Sequence, residues 1–247
     1  MILAGIMLKM GAYGIIRFNL GLFPELFSGF GIILIGLGLI NMFYAAICAY
    51  YQQDLKRLVA YSSISHMGLV LIGLGALTVT SFVGAIFQLV SHGLISAALF
   101  MMVGVIYFRC KTRSIDELGG LQKNMPVLSY FSIITILAAI GVPMLSGFAA
   151  EVLVFFGAFN QDNSVILNVL IISAVFCMIL TAIYLINAFA KTFWGNLLPK
   201  YSSIKDITPH EFLIMLCLVS CMIFFGVCPN ALINLFENTA KYILNTI

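Results

Sequence analysis

The chain is a succession of long apolar runs separated by short polar segments. These runs do not alternate with period two, which argues against the strands of a membrane barrel. Most are long enough for a helix to cross the roughly 30 Å apolar core of a bilayer. The pattern therefore predicts an all-α, polytopic transmembrane helical bundle of about seven spans, in one domain over residues 1–247. The predicted spans are Met1–Arg17, Gly29–Tyr51, Leu58–Val79, Phe82–Phe108, Val127–Phe159, Val165–Phe193 and Phe212–Val227.

The run Val127–Phe159 is predicted to be a broken helix. As one straight helix it would reach about 50 Å, which is too long for a single span. Its middle reads GVPMLSGF, where Pro143 removes a backbone donor between Gly141 and Gly147. Broken helices recur at transport sites, because unwound backbone at membrane depth needs protein or water around it.

Two further segments are predicted from their polarity. The stretch FNLGLFPELFS, which follows the first span, predicts a loop. The tail Asn230–Ile247 predicts an amphipathic helix along the membrane face. The glycines Gly36, Gly38, Gly73 and Gly75 are interpreted as helix-packing notches, because no G-x-G-x-x-G or Walker motif surrounds them.

Composition supports the membrane class. The chain is 62% hydrophobic and 9% charged, with a mean hydropathy of +1.12, whereas soluble domains are about one quarter charged. The net charge of +3 is too small to indicate nucleic-acid binding. Most of the six cysteines fall in or beside apolar runs, so they predict small core residues rather than disulfides or metal ligands.

The charged loops predict the orientation. Alternating the loops places most basic residues on one side and only Arg17 and Lys241 on the other. The positive-inside rule assigns the basic side to the cytoplasm or the mitochondrial matrix. The residues of the basic side are Lys56, Arg57, Arg109, Lys111, Arg113, Lys123, Lys191, Lys200 and Lys205.

Four ionisable residues lie inside the predicted spans: Lys9, His66, His92 and Glu151. Ionisable side chains are costly in a bilayer and commonly mark ion or proton routes. Lys9 either reaches an interface or packs, desolvated, between small residues where it can accept a proton. Each histidine is either an inert core residue or part of a relay hydrated by the hydroxyls of Tyr61, Ser62, Ser63 and Ser65. Glu151 is either a structural contact or a relay carboxylate just beyond the helix break.

Several strings carry a family resemblance. LAGIMLKMGAYGIIRFNLGLFPE, DLKRLVAYSSISHMG, LVSHGLISAALFMMVGVIYFRCKTRSIDELGGL and GVPMLSGFAAEVLVFFGAF resemble the antiporter-like proton-pumping subunit M of NADH:quinone oxidoreductase, or complex I. Its mitochondrial counterpart is NADH dehydrogenase subunit 4. The resemblance covers nearly the whole chain but only the C-terminal half of the family pattern. The first repeat of that pattern, with its glutamate–lysine pair, does not occur in this sequence.

The resemblance implies a fold and a mechanism. Family members contain two inverted five-helix repeats, each with one broken helix, and residues 29–193 resemble the second repeat. Lys9, His66, His92 and Glu151 match the family's proton relay along the membrane mid-plane. Pumping is implied to be driven by electrostatic changes that spread from quinone reduction elsewhere in the complex.

The resemblance also implies the surroundings of the chain. It would hold no cofactor, while NADH, FMN, iron–sulfur clusters and quinone would belong to partner subunits. Membrane-arm subunits of the L and N types would be its neighbours, in the bacterial cytoplasmic membrane or the mitochondrial inner membrane. Mrp-type cation/proton antiporters and membrane-bound hydrogenases share parts of the pattern, so a subunit of either is the alternative function. A purely structural membrane module is a further alternative.

Overall fold

A computed structural model describes residues 2–161 and 165–244 of the chain. The first helix, α1, joins the stretches Leu3–Met7, Leu8–Gly14 and Ile15–Leu20, and its first and last stretches are π-helical. The helices that follow are α2 (Pro24–Tyr50), α3 (Leu55–Gly75), α4 (Val79–Cys110), α5 (Pro126–Ala139), α6 (Ser146–Phe159), α7 (Val165–Phe193), α8 (Pro209–Val227) and α9 (Asn230–Leu244).

Capping residues set where several helices begin. The Asp54 carboxylate accepts hydrogen bonds from the backbone N–H groups of Lys56 and Arg57 at the start of α3. Thr78 caps α4 in the same way, and Thr208 forms a capping box with Glu211 at the start of α8. These side chains satisfy backbone donors that the first turn of a helix leaves free.

The predicted bundle of membrane spans is confirmed. Among the described residues, α2, α3, α4, α7 and α8 are long and apolar enough to cross a membrane. The shorter helices α5 and α6 together form the broken span, interrupted between Ala139 and Ser146 as predicted. The count of about seven spans also includes α1, and as a count it stays a prediction.

The predicted loop FNLGLFPELFS is wrong, because helical backbone runs through most of it. The π-helical end of α1 reaches Leu20, and α2 already begins at Pro24. A proline at the first position of a helix costs no hydrogen bond, so Pro24 starts a helix rather than preventing one. Leu20 and Phe27 are buried on either side of the turn, which explains why apolar residues occupy this short connection.

The predicted amphipathic tail helix is confirmed over α9, while residues 245–247 lie outside the described part. Ala240 of α9 is buried in a cluster with Phe82 and Val83 of α4. The helix therefore covers the start of α4 with its apolar face.

Helices α2 and α3 approach each other at glycines. A Cβ atom added to Gly38 would lie 2.5 Å from the carbonyl oxygen of Gly68, and one added to Gly31 would lie 2.6 Å from that of Gly75. The packing role predicted for Gly38, Gly73 and Gly75 is confirmed. For Gly36 it is wrong, because a Cβ there would meet no described atom within 4 Å.

The basic segments meet at one end of the bundle, as the loop charges predict. The backbone N–H of Leu55 donates to the carbonyl of Arg113, and Gly120 donates to Trp194. Arg109 at the end of α4 pairs with Glu211 at the start of α8, at 2.6 Å. This end is called the basic end below; its assignment to the cytoplasm or matrix stays a prediction.

Candidate functional site

His66 and His92 form a buried pair between α3 and α4. Both lie near the middle of their helices, and their side chains are 4% and 2% exposed. The ring centroids are 5.3 Å apart, with 42° between the ring planes. The structure therefore brings together the two histidines that the sequence placed in adjacent spans.

Gln88 makes a polar contact with this histidine pair. It lies four residues before His92 on α4, so both side chains project from the same face of the helix. The amide Nε2 of Gln88 is 3.5 Å from Nδ1 of His66, and the side chain is 1% exposed. An amide N–H that donates to Nδ1 favours the tautomer of His66 that carries its proton on Nε2.

Lys9 approaches the pair from α1. A Cβ added to Gly5, one turn before Lys9, would lie 3.8 Å from the carbonyl oxygen of Gly93, the residue after His92. This contact brings the helix that carries Lys9 against the helix that carries His92. The side chain is half-buried, in agreement with the predicted packing against a neighbouring helix.

Glu151 fits into the helix break. The break turns at Gly141 and Met144, both with φ of +72°, a backbone region that favours glycine. A Cβ added to Gly141 would overlap Oε2 of Glu151, so only glycine leaves room for this carboxylate. Glu151 lies in the membrane-spanning helix α6 and is only 8% exposed, so its ionisable side chain is buried within the bundle.

The break and the histidines lie at similar depths in the bundle. The hydroxyl of Ser91, next to His92, is 2.8 Å from the hydroxyl of Ser146 at the start of α6. One turn later Ala150 packs in the same cluster as Phe87 of α4. Glu151 therefore lies at the level of Gln88, beside the helix that carries both Gln88 and His92.

Four buried polar atoms at this level have no hydrogen-bond partner within the described residues: His66 Nε2, His92 Nδ1, Gln88 Oε1 and Glu151 Oε1. Buried polar groups in proteins are nearly always paired with protein or water. Of these groups, the two imidazoles and the carboxyl group can take up and release protons. Across residues 2–161 and 165–244, no three His, Cys, Asp or Glu side chains are grouped as metal ligands.

The hydroxyls predicted to serve the histidines are arranged differently. Ser63 donates to the carbonyl of Val59 and Ser65 to that of Met42. Ser62 lies beside the hydroxyl of Tyr184 on α7. Ser63 and Ser65 therefore bind helix backbone, and the polar contact of His66 comes from Gln88 instead.

The family is decided by a sequence match over most of the chain. Residues 1–187 match the family described as NADH:quinone oxidoreductase/Mrp antiporter, TM. The chain belongs to this family. The match includes Lys9, His66, His92 and Glu151, and the predicted family resemblance is confirmed.

The curated relatives of the chain are about twice as long as the chain itself. It is 42% identical to "NAD(P)H-quinone oxidoreductase chain 4, chloroplastic" of Physcomitrium patens over 99% of this chain and 50% of the relative. The chain thus spans about half the length of the curated relatives it matches. An integral membrane protein is confirmed, while the choice of a bacterial or mitochondrial membrane stays a prediction.

Two solved structures share its fold. The "Respiratory complex I from Thermus thermophilus with bound NADH" matches 96% of this chain and 49% of the other, with a TM-score of 0.89 and 30% identity. The Mrp complex from Dietzia sp. matches 89% of this chain and 48% of the other, with a TM-score of 0.80 and 18% identity. The likeness to the Mrp complex is one of fold alone.

The main site residue that sequence reasoning missed is Gln88. An amide does not ionise, so a search for charged groups in apolar runs passes over it. Its spacing of four residues from His92 was the available signal, because such residues share one face of a helix. Ser91 and Ser146, which join α4 to α6, were missed for the same reason.

Proposed function

We propose that this chain supplies part of the proton path of a membrane-arm subunit in a proton-translocating NADH:quinone oxidoreductase. The observation that carries the proposal is the buried His66–His92 pair, with an unpaired ring nitrogen on each histidine. Imidazole binds and releases protons near neutral pH and has two distinct nitrogens, which suits it to pass a proton onward.

The proposed relay has an order along the membrane plane. Lys9 lies on α1, which contacts α4 beside His92, and Glu151 lies at the level of Gln88 on the far side of α4. Protons would pass between Lys9 and Glu151 through the histidines, parallel to the membrane plane. A change in the charge of Lys9 would alter the proton affinity of both rings, which is the coupling that a pump requires.

The relatives' names support the wider setting. The Physcomitrium relative is named as a chain of NAD(P)H-quinone oxidoreductase, and the Thermus structure is a complex I that binds NADH. NADH, FMN, iron–sulfur clusters and quinone would accordingly be bound by partner subunits, with neighbours of the L and N types in the membrane arm. Residues 29–193, with their broken helix, would form the second five-helix repeat.

Replacing Lys9 by methionine tests the proposal. In the assembled complex in membrane vesicles, we expect Lys9→Met to abolish or sharply reduce NADH-driven proton uptake, because methionine preserves the length of the side chain without its charge. Native gels measure assembly in the same membranes. The matched control is Lys56→Met, which removes an exposed lysine at the basic end.

Three outcomes are decisive. Normal pumping by an assembled Lys9→Met complex would reject the relay. An assembly defect alone would make Lys9 a structural residue. Proton exchange driven by Na⁺ or K⁺ gradients, without peripheral redox subunits in the purified complex, would instead establish the Mrp-type antiporter function.

A further inference from the structure

A crevice between α2 and α7 opens on the outer surface of the bundle at membrane depth. Its apolar part is a groove of about 770 Å³. The groove is lined from α2 by Leu39, Phe43 and Ile47 and from α7 by Ser173, Phe176 and Leu180. The Ser173 hydroxyl donates to the carbonyl of Val169, at 2.8 Å, so it needs no polar partner. Tyr44 and Cys48 also line the groove and hydrogen-bond to each other, so an apolar occupant leaves these polar groups with a partner.

A polar cavity of about 180 Å³ continues the crevice towards the basic end. Its first residue on α7, Tyr184, lies one helical turn beyond Leu180 of the groove. At the end of α2, Tyr51 follows Ile47 by the same interval. The two cavities therefore follow one another along the same pair of helices, and the polar cavity is called the mouth below.

The mouth lies where lipid headgroups are expected. Helix α2 ends at Tyr50, which forms an edge-to-face pair with Tyr51 at 5.3 Å, and both tyrosines line the mouth. Tyrosines concentrate at the level of the headgroups in membrane proteins. The apolar groove then lies at the depth of the acyl chains.

The mouth carries one charge of each sign among its described lining residues. Lys191, in the last turn of α7, is the basic residue and Asp116 is the acidic one. The side-chain amides of Gln52 and Asn187 supply neutral donors and acceptors. A phosphate fits beside the lysine, and an ammonium group fits beside the aspartate. A purely anionic headgroup would leave the Asp116 carboxylate without a cationic partner.

We propose that the crevice binds a zwitterionic glycerophospholipid. One acyl chain lies in the groove between α2 and α7, the phosphate contacts Lys191 and the ammonium contacts Asp116. The site is separate from the histidine pair, so the proposal does not depend on the proton path.

A photoreactive lipid tests this site in membranes that contain the full complex. Phosphatidylethanolamine with a diazirine in its acyl chain is activated, and the modified residues are located by mass spectrometry. We expect labelling within residues 39–48 and 173–180 to exceed that of the exposed α8 face at Leu213 and Ile214 by about tenfold, as for a site that is favoured over bulk lipid.

Matched variants separate the groove from the mouth. Ser173→Trp fills the groove and should reduce labelling to the level of the α8 face, whereas Leu213→Trp should leave it unchanged. Lys191→Ala should lower labelling by about two- to fivefold, the range for an exposed ion pair, whereas Lys200→Ala should not. Blue-native gels confirm equal assembly.

Three results would overturn the proposal. The first is labelling of the groove no stronger than that of α8, or unaffected by Ser173→Trp. The second is stronger labelling by a phosphatidylglycerol probe, which would make the site anionic. The third is a groove covered by protein, revealed when a photoreactive amino acid at Phe176 crosslinks to another polypeptide segment instead of lipid.

Discussion

Two polar regions of the chain differ in how far their hydrogen-bonding groups are paired. At the basic end, Arg109 donates to both oxygens of Glu211 and to the carbonyls of Lys205 and Asp206. The Asp206 carboxylate in turn accepts from the backbone N–H groups of Val127 and Leu128 at the start of α5. At mid-depth, one ring nitrogen of each of His66 and His92 and the Oε1 atoms of Gln88 and Glu151 are buried without a hydrogen-bond partner among the described residues.

We interpret the difference as one between a structural network at the basic end and the proposed proton path at mid-depth. A fully paired network holds helix ends in place, because breaking any bond leaves a costly unsatisfied group. Unpaired polar atoms in a buried site lower stability, and they persist where the chemistry needs free donors and acceptors. Substitutions at the basic end should therefore affect assembly, and those at mid-depth should affect proton transfer.

The largest effect is expected at Glu151. Glu151→Gln keeps the size and hydrogen bonding of the side chain but cannot ionise, so assembly should be normal. Proton pumping and the electron transfer coupled to it should fall more than about tenfold, as when a proton-transfer group is removed. Glu151→Asp should retain part of the activity, because the charge remains on a shorter arm.

The control is Glu237→Gln, which alters an exposed carboxylate paired with Lys241 on α9. Proton uptake is measured in vesicles at matched levels of assembled complex. If Glu151→Gln pumps as well as the parent, Glu151 is structural and the relay ends at His92.

Replacing Arg109 should lower stability and leave pumping unchanged, the reverse of the result expected for Glu151. Arg109→Ala leaves Glu211 and two backbone carbonyls without their partner, which we expect to destabilise the chain by about 2–3 kcal/mol. Thermal unfolding of the complex should occur at lower temperature, with unchanged pumping per assembled complex. Arg57→Ala, at an exposed position of the same end, should change neither. A pumping defect at full assembly would show that the basic end takes part in the chemistry.

Replacing Gly141 should affect both stability and pumping. Gly141→Ala introduces about 1–2 kcal/mol of backbone strain at a positive φ and pushes against the Glu151 carboxylate. We expect both lower thermal stability and reduced pumping. Gly36→Ala, where a Cβ meets no described atom within 4 Å, should be neutral or slightly stabilising. Equal behaviour of the two variants would remove the steric argument for the Glu151 position.

The smallest effect is expected at Gln88. Gln88→Leu removes one neutral hydrogen bond to His66, worth about 0.5–1.5 kcal/mol, so pumping should fall about two- to tenfold. Gln88→Asn keeps an amide and should recover part of the loss, while Gln53→Leu at the exposed basic end serves as control. Assembly should be equal in all three. Unchanged pumping in Gln88→Leu would limit the relay to the ionisable residues.

Most of the fold could be predicted because the bilayer imposes a strong constraint on composition. Long apolar runs must be helices, and Pro143 between two glycines marks the one run that breaks. The connection around Phe23 could not be predicted. Asn19, Gly21 and Pro24 have the composition of a loop, yet burial of Leu20 and Phe27 allows the two helices to be joined at Phe23.

The candidate site could be predicted in part for a similar reason. Ionisable residues are so rare in these spans that Lys9, His66, His92 and Glu151 are conspicuous, and the structure groups both histidines with Lys9. Neutral polar residues carry no comparable signal. Serine hydroxyls in helices often bind the carbonyl four residues earlier, as Ser63 does, so their availability to a neighbour cannot be judged from sequence.

The glycine contacts between α2 and α3 have a mechanical consequence. Because Gly31 and Gly38 rest directly against the backbone of Gly75 and Gly68, a shift of one helix along the other would drive side chains into that backbone. We therefore expect α2 and α3 to move together as one rigid body. His66, which lies on α3, would move with them. The broken span α5–α6, which turns at Gly141 and Met144 beside Glu151, has no such continuous helical backbone to hold its two halves in line.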